Sequence, residues 1–289
     1  MDKLRVLDLF SGIGGFSLGL ERTGGFETVA FCEIEEFPRK VLRKHWPEVP
    51  CYDDVRTLTA DVLARDGIAV DVITGGFPCQ DLSVAGKRAG LGEGTRSGLW
   101  SEIVRLIGEL SPRYVIVENV ANLLSGPSDK RGGWFGRILG DLAECGYDAE
   151  WENIPAAAVG APHRRERVWI VAYPAQLQRD GSGEHWQSSE RQISKFGKRG
   201  GADNVADTNG KRLQGAKRKG STGAEGKSIG HAIQRASQSG RQWEPEPAVG
   251  RVANGVSRRV DRLKGLGNAV VPQIPELIGR AILEVEKTK

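Results

Sequence analysis

Short apolar runs alternate with amphipathic stretches up to residue 172, and this alternation restricts the fold more than any other feature of the sequence. The apolar runs have the length of buried strands, and they cover residues 4–10, 28–32, 70–74, 114–117 and 168–171. The amphipathic stretches have helical spacing, and they cover residues 14–22, 37–45, 99–110 and 134–145. Strands that alternate with helices build a doubly wound, mostly parallel sheet. We therefore predict an α/β domain over residues 1–173.

The composition of the sequence changes after Tyr173. Residues 174–250 are rich in Gly, Ser, Gln, Lys and Arg and poor in apolar residues, so this stretch cannot bury much of a core by itself. Residues 272–286 have a helical pattern with one apolar face, which consists of Ile274, Leu277, Ile278, Ala281, Ile282 and Val285. We predict a small, irregular domain at 174–250, followed by a segment at 251–289 whose helix packs back on the first domain.

The positive charge of the chain is concentrated in the irregular stretch. The whole sequence has a formal net charge of +4, whereas residues 174–250 hold 13 Lys and Arg against 8 Asp and Glu. A basic segment on an otherwise nearly neutral chain is typical of a protein whose partner carries phosphates. The alternative is a basic loop that contacts only solvent.

Cysteine usage and hydropathy exclude several other classes of protein. The four cysteines form no CxxC pair and have no histidine at metal-ligand spacing, so we predict neither a metal site nor a disulfide framework. The start of the sequence has no signal-peptide pattern, and no apolar run reaches membrane-spanning length. These features predict a soluble, intracellular protein with no membrane partner.

A glycine turn follows the first predicted strand and opens the first predicted helix. Its glycines are Gly12, Gly14 and Gly15. Such a turn lets the backbone and the helix N-terminus approach a ligand closely, but Ser17 breaks the GxGxxG pattern of nicotinamide sites. Glu33 lies at the distance from which a carboxylate accepts hydrogen bonds from ribose, and Asp54 is suited to an amine of a purine. We predict a nucleoside cofactor without a pyrophosphate; the alternatives are a tight connection without a ligand and solvated loop carboxylates.

Cys79 lies just beyond the predicted strand at 70–74, where open α/β sheets bind their ligands. Gly75 and Gly76 allow a sharp turn before it, and Pro78 stiffens the backbone beside the thiol. This placement suits a nucleophile, and a buried structural cysteine is the alternative.

Five motifs together resemble the DNA (cytosine-5)-methyltransferases that use S-adenosylmethionine. In chain order they are the glycine turn with Glu33, "PCQ" at 78–80, "VIVENV" at 115–120, "HRRERVWIVA" at 163–172 and "GLGNAVVPQ" at 265–273. The resemblance implies a Rossmann-like methyltransferase fold, with a catalytic and cofactor-binding domain at 1–173 and a target-recognition region at 174–250. It also implies S-adenosylmethionine as the cofactor, held by Phe10, Gly12, Gly14, Gly15, Glu33, Asp54 and Asn268.

The resemblance also assigns roles in a reaction on cytosine. Carbon 5 of cytosine is a poor nucleophile, and a thiolate that adds to carbon 6 makes carbon 5 reactive. The resemblance implies that Cys79 supplies this thiolate and that Glu118 protonates or hydrogen-bonds ring nitrogen 3. Arg165 matches the arginine that holds the cytosine carbonyl oxygen. Asn119 is implied to position the loop around Cys79, and Arg167 to support the site.

A cytosine inside a duplex has to be flipped out before a thiolate can reach it. The resemblance implies that the glycine-rich stretch 81–98 closes over the flipped base, with substrate contacts from Pro78, Gln80, Ser83 and Arg96; a flexible surface loop is the alternative. His163 stands where the family has Gln, so the role of that Gln is not transferred to this chain. The predicted partner is double-stranded DNA.

The remaining expectations concern context and alternatives. We expect a monomer in the cytoplasm of a bacterial or phage-infected cell, and the resemblance allows a partner restriction endonuclease. Two other functions stay open: a tRNA cytosine-5 methyltransferase of the same fold, and a catalytically silent DNA-binding relative.

Overall fold

A computed structural model describes residues 2–77, 99–125, 133–175 and 259–287, which all belong to one compact unit. The strands are β1 (Leu4–Leu9), β2 (Phe26–Cys32), β3 (Cys51–Tyr52), β4 (Val72–Gly75), β5 (Tyr114–Val120), β6 (Tyr147–Pro155) and β7 (Glu166–Pro174). The helices are α1 (Gly15–Glu21), α2 (Glu36–His45), α3 (Ala60–Arg65), α4 (Trp100–Leu110), α5 (Gly133–Glu144), α6 (Arg259–Asn268) and α7 (Gln273–Glu286). Within these described ranges, no helix has the length and apolarity needed to cross a membrane.

The seven strands form one sheet in the order β3-β2-β1-β4-β5-β7-β6. Strands β1 to β5 pair in parallel, and β7 runs antiparallel to both β5 and β6. The predicted doubly wound, mostly parallel α/β fold is therefore confirmed. The order reverses between β1 and β4, because β2 and β3 extend the sheet on one side of β1 and β4 and β5 on the other. Such a switch point opens a crevice at the carboxyl ends of the strands, which is where ligands bind in these folds.

The sheet has a hydrophobic layer on each face. One layer holds Leu7, Leu9, Ile73 and residues of α4 and α5, and the other holds Val6, Val72, Ile116 and residues of α1 and α7. Because both faces of β1 are covered, its apolar residues run nearly without interruption, as in buried parallel strands.

The edge strand β6 is not among the predicted strands. Its central residues include Glu150, Glu152 and Asn153, of which the last two are exposed. A strand at the edge of a sheet needs few apolar residues, so it leaves no apolar run to find in the sequence. Strand β5 also extends beyond its predicted end at residue 117, through Glu118 and Asn119.

Helix α7 packs against α1. Ile274, Ile278, Ala281 and Ile282 are buried, whereas Leu277 and Val285 of the predicted apolar face are partly buried. A Cβ on Gly279 would come within 3.0 Å of Leu20 in α1, so glycine permits this close approach. At its other end the helix is fixed to the sheet, because Tyr114 Oη donates to Glu286 Oε1 at 2.6 Å. Residues 176–250 lie outside the described ranges, and the proposed division at 173 and 250 stays a prediction.

Candidate active site

The glycine turn after β1 combines three residues with left-handed backbone. Phe10, Gly12 and Gly14 have φ values of 52°, 53° and 85°. A Cβ on Gly12 would have no atom within 4 Å, so this glycine faces open space, as a backbone that approaches a ligand requires. We call residues 8–15 together with Glu33 the glycine-turn region.

Glu33 ties the turn to the end of β2. Its Oε2 accepts the backbone N–H of Gly12 at 2.8 Å, and its Oε1 accepts the backbone N–H of Glu35 at 2.8 Å. The residue is 8% exposed, and burial raises the pKa of its carboxyl, while the two backbone donors oppose this shift. Each carboxylate oxygen can accept a further hydrogen bond, so Glu33 still has acceptors for a hydroxyl group.

The other two glycines of the turn are explained by packing. A Cβ on Gly14 would lie 2.7 Å from the indole ring of Trp46, and a Cβ on Gly15 would lie 2.6 Å from the carbonyl oxygen of Val270. Gly15 therefore permits contact between α1 and the segment before α7, which is sufficient reason for a glycine at that position.

The other predicted cofactor residues are Asp54, which is paired with an arginine, and Asn268, which is exposed. The carboxylate of Asp54 is already held by Arg56, whose Nη2 lies 2.7 Å from Oδ2, and this ion pair lowers the pKa of Asp54. Asn268 is exposed at the end of α6. Neither residue touches the glycine turn in the contacts found for it.

Glu118 lies near the carboxyl end of β5, beside the start of β7. Because β7 is antiparallel, Val120 pairs with Arg167 and Glu118 with Trp169. Arg167 Nε lies 3.0 Å from Glu118 Oε1. A Cβ on Gly76, just after β4, would be 3.3 Å from Glu118 Oε2, so this carboxylate borders the chain that leads to Cys79. Burial raises the pKa of Glu118, and the charges of Arg167 and Arg165 partly counteract it.

Asn119 is buried on the opposite side of the same strand. Its Nδ2 donates to the carbonyl oxygen of Phe77 at 3.2 Å, and its Oδ1 accepts the backbone N–H of Val120 at 2.9 Å. Asn119 thus fixes the last described residue before the "PCQ" motif.

Arg165 connects β7 with the C-terminal motif. Its backbone is left-handed, with φ of 30°, and its Nη1 donates to the carbonyl oxygen of Gly267 at 2.5 Å. Burial lowers the pKa of this guanidinium, and nearby Arg167 lowers it further. Glu118, Asn119, Arg165 and Arg167 form what we call the strand-pair region.

The predicted substrate residues Pro78, Cys79, Gln80, Ser83 and Arg96 lie outside the described ranges. His163 is exposed. Among the residues that the structure describes, no group of His, Cys, Asp or Glu has the arrangement of a metal site.

Sequence reasoning gave no role to Asp8, Ser17 and Thr74, which are all fully buried; Ser17 and Thr74 each donate a hydrogen bond to Asp8. The available signal was a carboxylate near the end of an apolar strand.

Comparison with known proteins adds an independent line of evidence. A profile of the family "C-5 cytosine-specific DNA methylase" matches residues 4–250. A type II methyltransferase of Staphylococcus aureus is 38% identical over 191 residues, which are 61% of this chain and 45% of that protein. A type II methyltransferase of Bacillus subtilis (strain 168) is 36% identical over 173 residues, which are 58% of this chain and 42% of that protein. The matched part of the chain thus spans less than half the length of these relatives.

Two solved structures share the fold. One is described as a DNA modification methyltransferase encoded within a prophage (E. coli), with a TM-score of 0.61 and 18% identity over 99% of this chain and 100% of that chain. The other is a triple mutant of Spodoptera frugiperda DNMT2, with a TM-score of 0.50 and 22% identity over 64% of this chain and 54% of that chain. The profile match extends over most of the sequence and contains the glycine turn and the strand-pair region. The chain belongs to the C-5 cytosine-specific DNA methylases.

Proposed function

We propose that this protein transfers a methyl group from S-adenosylmethionine to carbon 5 of a flipped cytosine in a specific sequence of duplex DNA. The observation that carries the proposal is that residues at or next to the ends of β4, β5 and β7 lie close together. Glu118 of β5 lies 3.0 Å from Arg167 of β7, and it borders Gly76 at the end of β4, three residues before Cys79. The strand-pair region thus brings a carboxyl and guanidinium groups together beside the chain that leads to Cys79, and addition to a pyrimidine ring needs such groups together with a thiolate.

The glycine-turn region fits the methyl donor. Open space at Gly12 and the remaining acceptor sites of Glu33 suit a nucleoside with ribose hydroxyls. S-adenosylmethionine supplies an electrophilic methyl group on a sulfonium sulfur. Phe10, Gly12 and Glu33 would hold it, with Gly14 and Gly15 shaping the turn through their packing. Asp54 and Asn268 complete the proposed contacts to the cofactor. For Asp54 this requires that its ion pair with Arg56 breaks.

Cys79 begins the reaction by adding its thiolate to carbon 6, which forms a carbon–sulfur bond and turns carbon 5 into an enamine-like nucleophile. Bound S-adenosylmethionine would supply the methyl group that carbon 5 accepts, and S-adenosylhomocysteine would be the other product. Loss of the carbon 5 proton to water and expulsion of the thiolate restore the aromatic ring. Asn119 supports the first step, because it fixes the Phe77 carbonyl two residues before Cys79.

Glu118 and the arginines compensate the charge that develops on the ring. The raised pKa of Glu118 favours a carboxyl that still carries a proton for ring nitrogen 3. Arg165 holds the carbonyl oxygen in this proposal, and its charge favours the thiolate form of Cys79. Arg167 keeps Glu118 in place, because its Nε lies 3.0 Å from Oε1 and can donate to that oxygen while Oε2 carries the proton.

Binding to DNA is assigned to the remaining predicted residues. Pro78, Gln80, Ser83 and Arg96 would contact the flipped base and its phosphates, and residues 174–250 would read the target sequence. We further propose a monomer that acts in the cytoplasm, with a partner restriction endonuclease as a compatible associate. The type II methyltransferases among the relatives favour DNA over tRNA as the substrate.

The decisive experiment is covalent trapping on duplex DNA that carries 5-fluorocytosine, together with transfer of tritiated methyl groups to duplex DNA and to tRNA. We expect an adduct and label in DNA with the wild-type protein, and neither with Cys79→Ser, whose binding of S-adenosylhomocysteine should stay within about twofold. Cys145→Ser, at a partly buried thiol outside the site, is the matched control and should behave as wild type. Label only in tRNA, or none with folded wild-type protein, contradicts the proposal.

A further inference from the structure

Asp8 is a buried carboxyl that the reaction described above does not use. It is the last residue but one of β1, and its exposure is 0%. Charged groups are rarely buried in this way unless hydrogen bonds satisfy them, because burial without partners costs several kcal/mol. Burial raises the pKa of Asp8 to about 7, although its hydrogen bonds oppose the shift.

Two hydroxyl groups satisfy the carboxyl, and each comes from a different element. Thr74 Oγ1 of β4 donates to Oδ1 at 2.7 Å, and Ser17 Oγ of α1 donates to Oδ2 at 2.9 Å. Both Thr74 and Ser17 are themselves 0% exposed. One carboxyl therefore joins three elements through these bonds, and the backbone N–H of Ser17 also donates to it.

The two bonds lead to different parts of the site. Ser17 lies in the first turn of α1, directly after Gly14 and Gly15, so its bond fixes the helix whose N-terminus borders the glycine turn. Thr74 lies opposite Asp8 in the parallel ladder and is followed by Gly75, Gly76 and Phe77, the residues that lead to Cys79. The bond to Thr74 consequently fixes the strand before the thiol.

We propose that Asp8 is a positioning residue that sets the methyl-donor turn and the nucleophile strand relative to each other, through Ser17 on one side and Thr74 on the other. This inference rests on the proposed function, and it adds a role that the motif residues do not cover. Its specific consequence is that the two hydroxyl groups act separately. Ser17 governs affinity for the methyl donor, and Thr74 governs the rate at which Cys79 adds to the base.

The test measures the affinity for S-adenosylhomocysteine and the rate of covalent trapping on 5-fluorocytosine DNA in the same variants. We expect Ser17→Ala to weaken binding of S-adenosylhomocysteine about tenfold and to change the trapping rate at saturating methyl donor by less than about threefold. Thr74→Val should slow trapping on 5-fluorocytosine DNA about tenfold and change the affinity by less than about threefold. Thr74→Ser keeps the hydroxyl and should restore the trapping rate.

The chain offers a matched control in Thr28 of the neighbouring strand β2. Thr28 is buried, and its hydroxyl finds no hydrogen-bond partner within the described ranges. Thr28→Val removes a buried hydroxyl without breaking a hydrogen bond. The affinity for S-adenosylhomocysteine and the trapping rate should therefore stay within about twofold of wild type.

The outcomes separate the two proposals. Equal losses of affinity and trapping rate in Ser17→Ala and Thr74→Val, or losses no larger than in Thr28→Val, would overturn the positioning role while leaving the proposed function intact. If Thr74→Val does not fold, Thr74→Ala takes its place, and it should slow trapping without a loss of affinity for S-adenosylhomocysteine. Absence of an adduct with folded wild-type protein removes the proposed function, and this inference with it.

Discussion

The glycine-turn region and the strand-pair region lie at the same edge of the sheet but are built by different means. The first depends on backbone: positive φ angles at Phe10, Gly12 and Gly14, and N–H groups bound by Glu33. The second depends on charged side chains that two antiparallel strands bring together, with Arg167 beside Glu118. A parallel β7 would place its other end there, and the arginines would lie far from Glu118.

The comparison indicates how substitutions in each region should impair the protein. In the glycine-turn region a change at Gly14 or Gly15 acts through steric overlap, because an added Cβ there meets atoms of other elements. In the strand-pair region a change acts through charge and protonation, because the backbone pairing of β5 and β7 does not depend on those side chains. Substitutions in the two regions should therefore affect different measurements.

The largest effect is expected for Glu118→Gln. The amide has a similar shape but cannot give a proton to the ring, so methyl transfer should fall by about 10²- to 10⁴-fold. Affinity for S-adenosylhomocysteine should stay within about twofold. Steady-state transfer of tritiated methyl groups to DNA, with calorimetry for the cofactor, measures both.

Glu152→Gln is the control for this change, because Glu152 is exposed on β6 and pairs with the same residue, Trp169, from the other side. It should retain wild-type activity. Activity of Glu118→Gln within about fivefold of wild type would mean that the proton comes from another group.

Gly14→Ala should give the next largest effect, because the added Cβ overlaps the side chain of Trp46. A left-handed alanine costs about 1–2 kcal/mol, and overlap with Trp46 adds about 1–3 kcal/mol. The ring cannot move aside freely, because Trp46 Nε1 donates to Glu21 Oε2 at 2.9 Å. We expect lower stability in urea unfolding and about tenfold weaker cofactor binding.

Gly24→Ala separates the cost of a left-handed alanine from the cost of the overlap with Trp46. Gly24 has a similar φ of 80°, but a Cβ there would have nothing within 4 Å. Its loss of stability should be limited to about 1–2 kcal/mol, with unchanged cofactor binding. Equal losses for both variants would show that Trp46 plays no part in shaping the turn.

The smallest effect concerns pH. The folded pKa of Asp8 is raised to about 7 from its ordinary value of 3.8, so the folded state binds the proton more tightly than the unfolded state does. Its contribution to stability is greatest at low pH and is lost as the pH rises towards 7. Relative to Asp8→Asn, wild type should lose about 2 kcal/mol of unfolding free energy between pH 5 and 8. A pH-independent difference in urea titrations would contradict this expectation.

The sequence was sufficient for β1, β2 and β4, because such buried strands are largely apolar on both faces. It did not predict the two-residue strand β3, which pairs in parallel with β2. It was not sufficient for the ends of β5 and β6. Glu118 and Asn119 are polar and yet belong to β5, because β7 pairs with them through backbone hydrogen bonds that any residue can make. The antiparallel direction of β7 depends on tertiary pairing and leaves no local pattern.

The candidate site was predictable where a motif specifies chemistry and less so where a residue serves packing. Gly15 has the spacing of a ligand-binding glycine, but the structure shows a contact with Val270 that explains it equally well. Asn119 was expected to position the loop near Cys79, and its hydrogen bond to Phe77 agrees with that expectation. The network of Asp8, Ser17 and Thr74 went unrecognised, because the two hydroxyls are separated from Asp8 by 9 and 66 positions in the chain.

Helix α1 is synthesised well before the residues that complete its packing. Gly15 and Gly19 lie against the carbonyl oxygens of Val270 and Pro272, which are synthesised some 250 residues afterwards. A growing chain that still lacks those residues leaves one side of α1 uncovered. Competence to take up a methyl donor should accordingly arise only after translation has passed Pro272.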